Sequence, residues 1–409
     1  MNLFEEFGLS YQLLMSIKRL GFDKPTQIQR QSIPHIMGGK DVIGESATGS
    51  GKTLAFGCGI VDHITPKGGL QALILTPTRE LAEQVKGSLR QLSYQKPLSI
   101  MTIYGGVSIN PQIHELPMAD VVVATPGRLL DHLERRTINV SKVKLLVLDE
   151  ADRMLDMGFI DDVEQIIRAC PAKRQTLFFS ATMPPRIKEM ANKYMNNPMQ
   201  VFAQKMVDPN KLKQAYYDVP KNMKLSLLVH LLQQEKSGLA IVFCNTMRNT
   251  DFVVKNLKAN RVDAIAIHGG MQQNKRAITI KMFNDAKAGV LVCTDVAARG
   301  LHIAHVSHIY NYDLPKDAKD YIHRIGRTAR AGEEGKAVNL LCDYDHDNFS
   351  RILNEYRTFL VEKMQLPHLN RVSTIMPDEG RRMHGGGGRM HGDRRRHQMG
   401  PRFNRHRRR

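Results

Sequence analysis

Ser46-Ala47-Thr48-Gly49-Ser50-Gly51-Lys52-Thr53 follows the apolar pair Val42–Ile43 and opens an amphipathic run, so it reads as a loop between a strand and a helix. Glycines in such a loop let backbone N–H groups wrap phosphate oxygens, and the N-terminus of the following helix adds partial positive charge. In that arrangement Lys52 reaches β- and γ-phosphates, and Thr53 helps to hold Mg2+. Serine stands at position 46 where the usual pattern begins with glycine. The strand-loop-helix context carries the reading, which makes residues 46 to 53 a candidate nucleotide site.

A second element lies downstream. Asp149-Glu150-Ala151-Asp152 follows the apolar run Lys144–Leu148. A carboxylate at the C-terminal end of a parallel strand lies where ligands gather in such sheets. Asp149 then suits a Mg2+ shell, and Glu150 suits the orientation and deprotonation of an attacking water. Alone, the same acids are also what a helix N-terminus prefers; the upstream loop decides between the two.

Working outward, short apolar runs alternate with longer amphipathic stretches. Val42–Ile43, Ala72–Leu75, Val121–Ala124, Leu145–Leu148 and Leu177–Phe179 read as buried parallel strands with helices between them. The rhythm restarts at Leu239–Cys244, Ala264–Ile267, Val290–Cys293, His308–Tyr310 and Val338–Leu341. Two α/β domains in series follow, with a hinge near Val207-Asp208-Pro209-Asn210. The spans expected are 1–207, a linker at 208–212, 213–370, and a tail at 371–409. Only the first domain has a GKT sequence, so only it can cradle phosphates in this way. Near the N-terminus, Ser10 caps a helix whose apolar face is Leu13, Leu14, Ile17 and Leu20, closed by Gly21.

Composition fits this outline. The 409 residues are too many for one ordinary core, and 42% of them are hydrophobic, enough for globular folding. No apolar run approaches the length of a membrane span, and the N-terminus lacks the basic start of a secretory signal. Five scattered cysteines never form a CxxC pair, which argues against a disulfide framework or a zinc site and for a reducing cytosol. The formal charge of +19 implies a polyanionic partner. It is uneven, because Gly380–Arg409 holds eleven arginines and one acid. That segment, with Gly385–Gly388, cannot bury a core and is expected to be a disordered, phosphate-binding tail. A solubilising role is the alternative.

With these elements in order, the chain resembles the DEAD-box family of RNA helicases over roughly residues 3–345. Phe4 and GFDKPTQIQ (Gly21–Gln29) resemble the family's adenine-reading Q motif; PTRELA (Pro77–Ala82), Gly105-Gly106 and TPGR (Thr125–Arg128) resemble its RNA-contacting motifs in the first lobe. SAT (Ser180–Thr182) matches the element that couples hydrolysis to lobe movement. VFCNT (Val242–Thr246), HGGMQQNKR (His268–Arg276), TDVAARGLHI (Thr294–Ile303) and HRIGRTARAG (His323–Gly332) then follow in family order. The resemblance implies two tandem RecA-like parallel-sheet lobes, with ATP and Mg2+ as cofactors and RNA as partner. It implies ATP contacts at Phe4, Phe22, Thr26, Gln29, the P-loop residues Ser46, Ala47, Thr48, Gly49, Ser50, Gly51, Lys52 and Thr53, and at Asp295, Gly300, Arg327 and Arg330. Catalysis falls to Lys52, Asp149, Glu150 and the arginine fingers Arg327 and Arg330. RNA contacts fall to Pro77, Thr78, Arg79, Gly105, Gly106, Thr125, Pro126, Arg128, Gly269, Gln273, Arg276 and Thr294. Asp152, Ser180, Thr182 and His323 are implied to couple the lobes.

The sequence departs from the family at two places. His302 stands where the family usually has an aspartate that contacts the ATP ribose, and Ala329 replaces a more frequent glycine. The expected activity is an ATPase that separates short RNA duplexes locally or remodels RNA–protein complexes. A DNA helicase and an RNA annealer with a minor ATPase remain as alternatives at this level.

Overall fold

Uninterrupted runs such as Ala72–Leu75 have no polar face to offer water, so as strands they must be covered on both sides. In a computed structural model of the chain, which describes residues 2–46, 49–203, 212–235, 238–298, 303, 305–329, 334–355 and 359–375, they are. The first lobe is a seven-stranded sheet of β1 (Val42–Glu45), β2 (Ala72–Leu75), β3 (Ile100–Ile103), β4 (Val121–Ala124), β5 (Leu145–Asp149), β6 (Gln175–Ser180) and β7 (Met199–Phe202). Its spatial order is β3-β4-β2-β5-β6-β1-β7, with every neighbouring pair parallel. The second lobe holds β8 (Leu212–Asp218), β9 (Leu239–Phe243), β10 (Ala264–Ile267), β11 (Val290–Cys293), β12 (Val306–Asn311), β13 (Gly335–Leu341) and β14 (Val361–Lys363). These lie in the order β10-β11-β9-β12-β13-β8-β14, again all parallel.

Alternation along each strand divides the apolar residues between two cores. Ala72, Ile74, Val121, Val123, Leu145 and Val147 face one layer of helices, and Leu73, Leu75, Val122, Ala124, Leu146 and Leu148 face the other. The second lobe repeats this with Ile241 and Phe243 on one side and Ala240 and Val242 on the other. Fully burying each such aliphatic or aromatic side chain contributes roughly 1.5–3 kcal/mol.

Two expected boundaries move. Leu212 is not linker but the first residue of β8, paired with Gly335. Residues 371–375 are not tail: the Val372 N–H donates to Ser226 Oγ at 3.2 Å, and Ile375 and Asn256 exchange hydrogen bonds of 2.6 and 3.1 Å. The hinge at 207–210 and the arginine-rich segment lie outside the described residues.

The order of the first sheet sets β5, β6 and β1 side by side. Asp149 pairs with Phe179 and Glu45 with Ser180. The phosphate loop, the DEAD box and SAT therefore all leave the same carboxyl edge, where parallel sheets bind ligands.

Candidate functional site

After β1 the chain turns through Gly49 (φ 86°) and Gly51 (φ 94°) into the helix Lys52–His63. Gly51 has no substitute, because a Cβ there would sit 2.2 Å from Gln29 Nε2 in a left-handed backbone. The loop is braced from the Q motif. Thr26 Oγ1 donates to the Ser50 carbonyl at 2.8 Å and Gln29 Nε2 to the Gly51 carbonyl at 3.0 Å, while Gln29 Oε1 accepts from Thr26 N–H. Lys52 is buried and donates to the Ser46 carbonyl at 2.8 Å, and the Ser46 and Ser50 hydroxyls bond each other. Ala47 and Thr48 lie outside the described residues.

A cavity of about 340 Å3 opens over this loop, bordered by Phe22, Thr26, Gln29, Gly49, Gly51, Lys52, Thr53, Asp149 and Glu150. Phe4 is not part of it. It is fully buried, edge-on to Phe7 in the core, and has no face to offer a base; the half-exposed aromatic at the cavity is Phe22.

At the floor, Asp149 is buried and its Oδ1 has no hydrogen-bond partner. Burial, against the opposing charge of Lys52, pushes its carboxyl up to about 7. Glu150 adopts φ 56°, ψ 50°, a left-handed backbone rare for glutamate, and its Oε2 lies 3.3 Å from Arg153 Nε with both side chains buried. Asp152 turns toward SAT: its Oδ2 accepts from Thr182 N–H at 3.0 Å and Thr182 Oγ1 at 2.9 Å, and its N–H donates to Ser180 Oγ at 3.1 Å. Burial works against ionisation of Asp152, but the Ser180 and Thr182 hydroxyls and the Lys319 and Lys52 charges outweigh it and hold the carboxyl below its usual range.

The second lobe faces this edge. Burial first, and then the Arg153 charge, pushes the His323 imidazole down to about 2, so it stays neutral; its Nδ1 is buried without a partner. Arg327 is also buried. Asp295 does not border the nucleotide cavity, and both its carboxylate oxygens accept from Arg324, each at 2.6 Å. Arg324 also donates to Asn311 Oδ1, the Asp313 carbonyl and Asn245 Oδ1, which ties the carboxyl ends of β11, β9 and β12 together. Sequence reasoning passed over Arg324 although it lies inside HRIGRTARAG. Gly300, His302 and Arg330 lie outside the described residues, while Ala329 has φ 53°, the left-handed region that favours glycine.

A wider groove of about 720 Å3 runs between the lobes. Pro77, Thr78, Arg79, Gly105, Gly106, Thr125 and Arg128 border it from the first lobe, and Gly269, Gln273 and Arg276 from the second. Pro126 and Thr294 are buried beside it and do not line it. Gly106 (φ 72°) lies under Arg79, whose guanidinium would meet a Cβ at 2.2 Å. Arg128 donates to the Val107 carbonyl at 3.0 Å, which fastens TPGR to the paired-glycine loop. The residue missed here is Glu80, which crosses the groove: it accepts from Gln273 Nε2 at 3.1 Å and pairs with Arg276 at 2.9 Å. Among the described residues no helix is long and apolar enough to cross a membrane, and no cluster of three His, Cys, Asp or Glu forms a metal site.

Known proteins share both halves of this arrangement. The DEAD/DEAH box helicase family model matches residues 26–190, and the helicase conserved C-terminal domain matches residues 223–332. The chain is 44% identical over 371 residues to the ATP-dependent RNA helicase CshA of Listeria monocytogenes, covering 90% of this chain and 71% of that protein. It is 43% identical over 371 residues to the DEAD-box ATP-dependent RNA helicase CshA of Bacillus subtilis, covering 90% and 75%. Among solved structures, S. cerevisiae Dbp5 bound to RNA and ADP BeF3 is similar with a TM-score of 0.82 and 32% identity, covering 89% of this chain and 96% of that one. With a phosphate loop and DEAD box on one parallel sheet, a facing second lobe, and both family models in that order, this chain belongs to the DEAD-box helicase family.

Proposed function

We infer that the protein is an ATP-dependent RNA helicase, which binds RNA across its two lobes and uses ATP hydrolysis to separate short duplexes locally or to remodel RNA–protein complexes. The observation that carries this reading is that one short segment serves three directions. Asp149 and Glu150 border the nucleotide cavity, Asp152 holds SAT, and Arg153 acts on His323 of the other lobe.

That geometry supports the following roles. Phosphates enter over the loop at Gly49–Thr53, where Lys52 exchanges its contact with the Ser46 carbonyl for phosphate oxygens. Water attacks the γ-phosphorus, Glu150 takes its proton, and the bond to the bridging oxygen breaks to release ADP. Arg327, with Arg330, offsets the charge that develops on the γ-phosphoryl oxygens. The buried, unpartnered Oδ1 of Asp149 and the Thr53 hydroxyl at the same cavity fit Mg2+. Bound there, Mg2+ would neutralise the β- and γ-phosphates. Because the fingers come from the second lobe, turnover requires closure, and RNA in the shared groove favours it. Five free, buried cysteines support a reducing cytoplasmic location.

ATP turnover measured with no nucleic acid, single-stranded RNA, duplex RNA and DNA, alongside displacement of a short labelled RNA strand, tests the reading. RNA should stimulate turnover and DNA should not. Equal stimulation by DNA makes the protein a general nucleic-acid helicase, and no stimulation with intact RNA binding leaves an annealer.

A further inference from the structure

The helix that the DEAD box opens, Ala151–Asp156, carries two acids four residues apart, Asp152 and Asp156. Residues at that spacing stand one above the other on a single helix face. In the second lobe the helix Ala318–Ile325 has the same spacing in Lys319 and His323. The two faces meet rung for rung. His323 sits within reach of the charges of Asp152 and Arg153. One turn away, Lys319 Nζ donates to both carboxylate oxygens of Asp156, at 2.9 and 2.8 Å. Neither Lys319 nor Asp156 borders the nucleotide cavity or the groove.

Continuing by four from Lys319 and His323 leads to Arg327, just beyond the helix end, whose N–H still donates to the Arg324 carbonyl. We propose that Lys319 and Asp156 are a positioning ion pair for the arginine finger: their contact pins the first turn of the finger helix to the DEAD-box helix and so sets Arg327 in register with the γ-phosphate. The inference rests on the reading of the protein as an RNA-dependent ATPase that closes to act. The pair is about as exposed as a shallow interface contact, 27% for Lys319 and 30% for Asp156, so solvent screens it. Screened pairs of this kind are worth about two- to fivefold in an equilibrium, and reversing one charge adds repulsion, for about tenfold at most.

The test is a charge swap in the full chain, with K319E, D156K and K319E/D156K compared with wild type. Two quantities are read: kcat and RNA KM of ATP turnover, and RNA affinity with and without a non-hydrolysable ATP analogue. Each single variant should lower kcat and weaken RNA binding in the presence of the analogue by about three- to tenfold. RNA affinity without nucleotide should stay at the wild-type value, and the double variant should recover most of the loss. A general folding defect would lower RNA affinity without nucleotide as well. A double variant no better than the singles, or an equal loss of RNA affinity with and without the analogue, overturns the positioning role. If wild-type turnover itself ignores RNA, the functional reading fails and takes this inference with it; if wild type responds and the swap does not rescue, the inference fails alone.

Discussion

Glu80 is the residue on which the two lobes meet over the groove, and Glu80→Ala should separate RNA binding from RNA-dependent closure. Its carboxylate takes one hydrogen bond from the Gln273 amide at 3.1 Å and a charge-assisted one from Arg276 at 2.9 Å. Both bonds run to an ionised carboxylate, and a hydrogen bond to a charged group contributes about 1.5–3 kcal/mol net. The Glu80 and Arg276 side chains are only 8% and 13% exposed, so screening is weak, while Arg276 can turn toward water or RNA once freed. A loss of about 2 kcal/mol, below the sum of the two because Arg276 regains partners, is therefore expected for the closed arrangement, roughly 30-fold in its equilibrium constant. In the open arrangement the sign differs, because Gln273 and Arg276, both at the groove, are released to meet phosphate. Fluorescence anisotropy of a labelled single-stranded RNA, titrated with and without a non-hydrolysable ATP analogue, reads both effects. The ratio of the two affinities should fall by about 30-fold, with nucleotide-free binding unchanged or slightly tighter. An unchanged ratio, or the same loss in both titrations, would refute the argument, since a contact between lobes can matter only when they close.

Other perturbations read other parts of the site. Glu150→Gln should keep ATP binding and stop turnover, leaving a long-lived complex with RNA and ATP; near-normal turnover would remove Glu150 from proton transfer. Arg327→Ala should cut RNA-stimulated turnover by about 10³-fold, the low end for an arginine finger, while ATP binding to a first-lobe fragment cannot change. Burial that holds His323 down at about 2 penalises its protonation only while the lobes are closed, so closure is undiminished above the ordinary histidine pKa of about 6.5 and weakens as pH falls below it. The ATP-dependent gain in RNA affinity should drop between pH 7 and 5.5 in wild type, and His323→Asn should flatten that slope. Ala329→Gly relieves a left-handed alanine at φ 53° worth about 1–2 kcal/mol, part of it offset by the flexibility of glycine in the unfolded chain. Thermal unfolding of the second lobe should therefore shift upward by a few degrees, and a downward shift would show that the strain is not released.

The central strands were legible because a strand buried on both faces has only one composition open to it. Each run from Val42–Ile43 to Val338–Leu341 became a strand. The four that escaped notice are β3, β7, β8 and β14, and three of them are sheet edges. An edge strand has one partner and can carry polar residues, as Gln200 in β7 and Glu362 in β14 do, so its pattern fades into that of a loop. Val361–Lys363 is too short to announce itself at all. It is held by its register on β8, a contact between residues far apart in sequence.

The site was legible to the extent that its chemistry is written in contiguous residues. Gly51 and Lys52 act where they stand, and the groove gathers most of the motifs expected to meet RNA. What the sequence does not display is which polar residue is consumed by another. Asp295 looks like a ligand contact until Arg324 takes both its oxygens, and Glu80 looks like a solvated helix acid until Arg276 faces it across the groove. Phe4 errs the other way, since an aromatic beside a nucleotide motif reads as a stacking surface, yet the first lobe spends it on its core. A buried charge must find its partner inside the protein or leave the interior. Assigning one residue of such a pair to a ligand is thus a claim about its partner as well, and that partner lies on another strand or another lobe. Asp149 is the case where the accounting stays open: its Oδ1 is buried, and no protein group hydrogen-bonds to it. Each of the paired acids could lose its ligand role to a neighbour, whereas this oxygen has none to lose it to, which is the physical reason to expect a cation beside Asp149 rather than beside Asp152 or Asp295.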